Sequence, residues 1–147
     1  MTSPRTGRWT SERLNMAKCN TVDRGFSVAF ATAQLSDAPR AGLKMGAALY
    51  SGSRLLSVGA NLYGRSHPAS EQSNAFWRST HCEHVALLKR QHYDNPSGLT
   101  LYVARRRKDG SIGSSRPCKN CVDLCRLAGV SRVWFYDSYG NREEIAL

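Results

Sequence analysis

Two short stretches gather side chains that bind metals and move protons. In "RSTHCEHVALL", residues 78–88, His81, Cys82, Glu83 and His84 stand together just ahead of an apolar run. In "SRPCKNC", Cys118 and Cys121 lie three residues apart behind Pro117. Imidazole and thiolate are donors that suit zinc, and a carboxylate beside them can take up and return a proton. If each stretch opens a helix, Cys118 and Cys121 share a face, and the helix dipole favours the metal-binding thiolate. Each stretch alone also has a plainer reading. Thr80-x-x-Glu83 fits a capping box that leaves His81 and His84 as surface residues, and a lone C-x-x-C fits a redox pair. A closed structural zinc site of His81, His84, Cys118 and Cys121 is a further reading, although the order and separation of these residues do not fit zinc-finger spacing.

The chemistry depends on elements that hold the two stretches together. "TVDRGFSVAFATAQLSD" places Val22, Phe26, Ala29, Phe30 and Ala33 at helical spacing, and "APRAG" ends that helix. "LKMGAALYS" and "RLLSVGANLY", joined by "SGSR", read as a hairpin of two strands. A polar connection over 64–79 leads to a helix from about Thr80 to His92, which stops at "DNPSG". Then follow a strand "LTLYVAR", a basic loop "RRKDGSIGSSR", a helix from Pro117 to about Gly129, and a strand "RVWFY". The tail "DSYGNREEIAL" reads as a turn and a short edge strand. This order implies an α/β fold, a mixed sheet of about five strands flanked by helices in a layered sandwich. Residues 1–19 read as a basic arm with little apolar surface to anchor it, and 20–147 as one domain.

Composition narrows the function classes. No run of residues approaches the roughly 20 apolar positions of a membrane helix, and the first 20 residues lack the apolar segment of a signal peptide. A soluble, cytoplasmic protein without a membrane partner is the expectation. Five cysteines, Cys19, Cys82, Cys118, Cys121 and Cys125, are an odd number and argue for thiols and metal ligands over a disulfide framework. The net charge of +10 points to an anionic partner, either nucleic acid or a phosphorylated small molecule.

Taken together, the histidine, the glutamate two residues on, and Pro-Cys-x-x-Cys at the next helix match the H-x-E…P-C-x-x-C signature of zinc deaminases. Over residues 20–140 the chain resembles the zinc-dependent cytidine and deoxycytidylate deaminase superfamily, which also includes tRNA adenosine deaminases and the AID/APOBEC enzymes. The phrases "NLYGRSHP" and "YVAR" are most similar to small deoxycytidylate-deaminase-like proteins of phages. The resemblance implies a cytidine-deaminase-like three-layer sandwich. It implies His81, Cys118 and Cys121 as ligands of one zinc ion per chain, with water as the fourth ligand at a pKa brought towards 7. It makes Glu83 the proton carrier in deamination of cytosine to uracil with release of ammonia. Asn61 resembles the family's sugar-contacting asparagine, and Arg116 stands where relatives carry serine or glutamate, which frees its side chain to meet a phosphate. Cys82 replaces the family's usual alanine and is expected to pack as a small buried thiol.

The tail bears on the branch. In the tRNA-editing and AID/APOBEC enzymes a helix separates the last two strands, which run parallel. About ten residues after "RVWFY" are too few for such a crossover, so the last strand should return antiparallel, as in free cytidine deaminases and several toxin or organelle-editing deaminases, a branch with both small-molecule and polynucleotide enzymes. The expected substrate is a cytidine or deoxycytidine nucleotide, with cytosine in single-stranded DNA or RNA as the alternative. "ARRRKDG", Arg116, Lys119 and Arg126 offer phosphate contacts, and Trp77, Trp134, Tyr136 and Tyr139 offer faces for bases. The opposite reading makes Arg105 to Lys108 a solvated loop and puts one of Trp134 and Tyr136 in the core. Small relatives assemble as oligomers in which a neighbouring chain completes the pocket, so the resemblance leaves a homo-oligomer open.

Overall fold

The computed structural model describes residues 11–37, 43–63, 79–90 and 98–147. In chain order these form α1 (Ser11–Ala33), β1 (Lys44–Ser51), β2 (Arg54–Ala60), β3 (Leu62–Tyr63), β4 (Ser79–Thr80) and α2 (Cys82–Lys89). After them come β5 (Leu99–Arg106), β6 (Ile112–Gly113), α3 (Lys119–Leu127), β7 (Val130–Tyr136) and β8 (Arg142–Ala146). The main sheet runs β2-β1-β5-β7-β8, with β6 attached to β5, and β3 and β4 make a separate pair. Among the described strands only β5 and β7 pair in parallel; β8 returns antiparallel beside β7 after the short connection 137–141, with Arg132 opposite Ala146.

Alternation along the central strands builds a core on each face of the sheet. Ala47, Leu49, Leu101, Val103 and Val133 point to one side and pack with Cys82, Ala86 and Leu87 of α2 and Cys125 of α3. Ala48, Tyr50, Tyr102, Ala104 and Tyr136 point to the other side, against Phe26 and Ala29 of α1. The result is three layers, α1, sheet, then α2 with α3, which is the sandwich expected from the order of elements. Tyr136 lies in the core while Trp134 is half-buried, so this pair serves packing first.

Three element boundaries differ from the sequence reading. α1 begins at Ser11, within the segment read as an arm, because Glu12, Arg13, Leu14, Met16, Ala17 and Lys18 are strong helix formers that extend an already nucleated helix. Thr80 pairs with Leu62 in the β3–β4 ladder, so His81 becomes the N-cap of α2 without a side-chain cap bond, and the Thr80–Glu83 capping box does not form. Pro117 precedes the N-cap of α3, Cys118, instead of occupying the first helical position. The phrase at 64–68, Trp77 and His92 lie outside the described residues. No helix among the described residues is long and apolar enough to cross a membrane.

Candidate metal centre

Three local devices bring the two sequence clusters together. The first is the β3–β4 ladder, which pairs Leu62 with Thr80 and so sets Asn61 and His81 at the same end of it. The second is Gly59 of β2, against which α2 packs so closely that a Cβ there would lie 2.4 Å from the Ala86 amide nitrogen and 2.7 Å from the Cys82 carbonyl oxygen. Ser57 adds a hydrogen bond of 2.7 Å to the Ala86 carbonyl. The third is Ser115. β5 and β7 pair only as far as Tyr102 and Trp134, and Ser115 enters where they part. Its hydroxyl donates to Val103 O at 2.7 Å and accepts from Tyr136 N at 2.9 Å, while its own amide donates to Tyr136 O at 2.9 Å. Three residues later Cys118 caps α3, its sulfur accepting from the Cys121 amide at 3.4 Å. Arg90 at the end of α2 donates to the Ala128 carbonyl at the end of α3, which ties the two helices together. Gly129 ends α3 with a φ of 90°, a backbone setting that glycine adopts without strain.

With both helices held, His81 Nδ1 stands 3.4 Å from Cys121 Sγ and 3.6 Å from Cys118 Sγ. One donor atom from each of the three residues lies within 4.8 Å of the others. Hydrogen bonds from Cys121 and then His81 pull the Cys118 thiol down to about 4, so its sulfur is held as a thiolate. The hydrogen bond to Cys118 raises His81 above its usual range, against the opposing effect of burial. Cys121 is pushed up, first by its bond to Cys118 and then by burial. One imidazole and two cysteine sulfurs in this arrangement fit zinc, and three protein donors leave one position of a tetrahedral ion for a reactant. Cys125 is pushed up to about 12 by burial and packs in the core as a thiol.

Glu83 is 3% exposed, and its charge helps raise His81, Cys121 and Cys82. Cys82 is fully buried and its Sγ donates to Glu83 Oε1 at 2.7 Å. Burial, then the Glu83 charge, keeps Cys82 a neutral thiol, and it stands outside the three-donor group. His84 is buried as well and also lies outside that group. Asn61 is buried and bonded to the start of β1, its Oδ1 accepting from Met45 N at 2.9 Å and its Nδ2 donating to Leu43 O at 2.7 Å. One lone pair and one N–H of that amide remain for another partner. Arg116 is exposed, 3.9 Å from Glu143 and stacked over Phe135, and Tyr139 is 89% exposed on the β7–β8 turn. Sequence reasoning missed Gly59 and Ser115, because neither carries a local signal; each matters through a partner distant in the chain.

None of the curated proteins compared with this sequence matches it. Among solved structures, the apo dCMP deaminase of cyanophage S-TIM5 superposes with a TM-score of 0.58 at 23% identity, covering 80% of this chain and 83% of that one. The same enzyme in complex with dCMP and dUMP gives 0.52 at 20% identity, over 86% and 82% of the chains. The cytidine deaminase of Burkholderia pseudomallei gives 0.58 at 18% identity, over 84% and 91%. The model of the cytidine and deoxycytidylate deaminase zinc-binding region matches residues 20–137, a span that holds all three metal donors and Glu83. With that match over most of its length, and with the sandwich and the donor cluster in place, the chain belongs to the cytidine and deoxycytidylate deaminase family of zinc-binding enzymes.

Proposed function

We propose that this enzyme hydrolyses the amino group from the cytosine of a nucleoside monophosphate, giving the uracil nucleotide and ammonia, with residues 20–147 as the deaminase domain. The observation that carries the reading is the cluster of three zinc-type donors, His81, Cys118 and Cys121, with the buried carboxylate of Glu83 two residues after His81. His81, Cys118 and Cys121 would hold the zinc ion, which would supply the Lewis acidity that lowers the pKa of the reacting water towards neutrality. Glu83 would take one proton from the attacking water and give it to cytosine N3, then carry the remaining proton of that water, on the oxygen added at C4, to the departing amine as the C4–N bond breaks. The Cys82 thiol holds one oxygen of Glu83 and so limits the directions in which the carboxylate can turn. Asn61 keeps one N–H and one lone pair for the sugar, in the amide fixed by β1.

Two observations favour a mononucleotide over a strand. Arg106 and Arg107 of the basic loop donate back into that loop, to Gly110 O at 2.8 Å and Ile112 O at 3.0 Å, instead of standing as a free row of cations. The cyanophage enzyme that shares the fold was solved with dCMP and dUMP bound. The test is ammonia release from deoxycytidine, dCMP, dCTP and a cytosine-containing single strand. Turnover of dCMP at least ten times that of any other substrate is expected, and turnover confined to the strand overturns the reading. Glu83→Gln should retain one zinc per chain and the folded state while kcat falls by about 10²–10⁴-fold.

A further inference from the structure

Of the basic loop, Arg105 is the residue turned inward. Its Nε is buried and has no hydrogen-bond partner, and it makes no ion pair among the described residues. The register shows which face it serves. Arg105 lies opposite Met45 of β1, and directly opposed residues project to the same side of a sheet. Met45 packs against the cluster that contains Cys82 and Ala86 of α2, and Leu101 and Val103, in step with Arg105 along β5, belong to that cluster. Arg105 therefore continues the metal-centre face to its edge, whereas Arg106 stacks over Phe30 of α1 on the other face.

Both neighbours of Arg105 lead into the site. On one side the Met45 backbone exchanges hydrogen bonds with Asn61. On the other, Gly113 of β6 opens the segment that carries Ser115 and Cys118. A Cβ at Gly113 would stand 3.0 Å from Arg105 Nε and 3.1 Å from its Cδ, so the arginine stem lies across this glycine and the missing side chain makes its room. A guanidinium keeps its charge in any protein setting, and a buried donor without an acceptor is a standing cost that a ligand oxygen removes. Phosphate oxygens are the acceptors that match the guanidinium fork best.

We propose that Arg105 reads the phosphate of the substrate, its guanidinium taking the anionic oxygens of a terminal phosphate monoester on the nucleotide whose cytosine sits at the metal centre. The inference rests on the nucleoside-monophosphate reading above and adds the residue that would select nucleotide over nucleoside. A site built around a buried donor rejects the analogue that lacks the acceptor, since the donor is then left unpaired.

The test compares kcat/KM for dCMP and deoxycytidine, and calorimetric affinity for dUMP and deoxyuridine, in zinc-loaded wild type, Arg105→Met and Arg105→Lys. Wild type should favour dCMP by about 10²-fold or more. Arg105→Met keeps a stem over Gly113 and should reduce that ratio by about 10²-fold, with the dUMP to deoxyuridine affinity ratio falling in step. Arg105→Lys keeps the charge, loses the fork and should reduce both ratios by about tenfold, and it carries the test if the methionine variant fails to fold. A dCMP preference and a dUMP affinity that both survive in the folded variants overturn the role of Arg105 and leave the nucleotide reading standing. A wild type that does not distinguish dCMP from deoxycytidine, or acts only within single strands, overturns the nucleotide reading itself and the proposal with it.

Discussion

Replacing Gly59 with alanine tests whether β2 sets the position of the metal centre. The new Cβ would lie 2.4 Å from the Ala86 nitrogen, 2.7 Å from the Cys82 oxygen and 2.8 Å from Val85 Cβ. Ordinary contact begins near 3.4 Å, so α2 must retreat by 3.4 − 2.4 = 1.0 Å, and two of the three obstacles are backbone atoms that no rotamer change can move. Overpacking of this kind costs about 1–3 kcal/mol. For a domain of this length that lowers Tm by about 3–9 °C. The retreat carries His81 and Glu83 away from Cys118 and Cys121, which α3 and Ser115 hold in place. A misplacement of about 1 Å between reacting groups costs about 10²-fold in rate. Thermal unfolding of the zinc-loaded protein, zinc affinity by chelator competition, and kcat/KM for dCMP measure the three effects. If Gly59→Ala melts with wild type and keeps kcat/KM within about threefold, the close approach of β2 and α2 does not position the site and the reasoning fails.

Two smaller perturbations separate ligand, positioning and packing roles. Cys82→Ala should leave one zinc per chain, because Cys82 stands outside the donor group, and should lower kcat by about tenfold through loss of one hydrogen bond to a charged oxygen; loss of zinc, measured by metal analysis, would show that the ligand set is wrong. Ser115→Ala strands the Tyr136 amide and the Val103 carbonyl in a fully buried position, so denaturant unfolding should show a loss of about 2–4 kcal/mol and chelator competition a weaker zinc site, whereas an unchanged zinc affinity would assign Ser115 to the sheet alone.

What the sequence made legible was local. The Cys118/Cys121 pair announces itself because a helix start places residues three apart on one face, the H-x-E run by its residue types, and the structure brings His81, Cys118 and Cys121 within reach of a single ion. The β1–β2 hairpin and the antiparallel return of β8 follow from the shortness of the turns that connect each pair of strands. Boundaries fared worse where pairing overrode propensity. Thr80 looks like a cap in isolation, yet Leu62 claims it for a strand and the cap passes to His81. Gly59, Gly113 and Ser115 sit in unremarkable Gly/Ser contexts, and their meaning comes from Ala86, Arg105 and Tyr136, which no local pattern pairs with them.

The parting of β5 and β7 connects these observations. Two parallel strands that stayed paired to their ends would leave no place for the chain to pass between them. Because pairing stops at Tyr102 and Trp134, Ser115 takes over the Tyr136 amide and the Val103 carbonyl, and β6 takes the vacated edge of β5 opposite Arg105. One segment, residues 112–118, thus closes the gap in the sheet, leaves room for an inward arginine at Gly113 and delivers Cys118 to the start of α3. The run of three arginines divides accordingly. Pleat alternation sends Arg105 to the metal-centre face and Arg106 to the α1 face, and the loop's own carbonyls hold Arg106 and Arg107. A charge of +10 read as a uniform attraction for anions therefore resolves, among these three arginines, into one turned to the face of α2 and α3 and two that shape the loop.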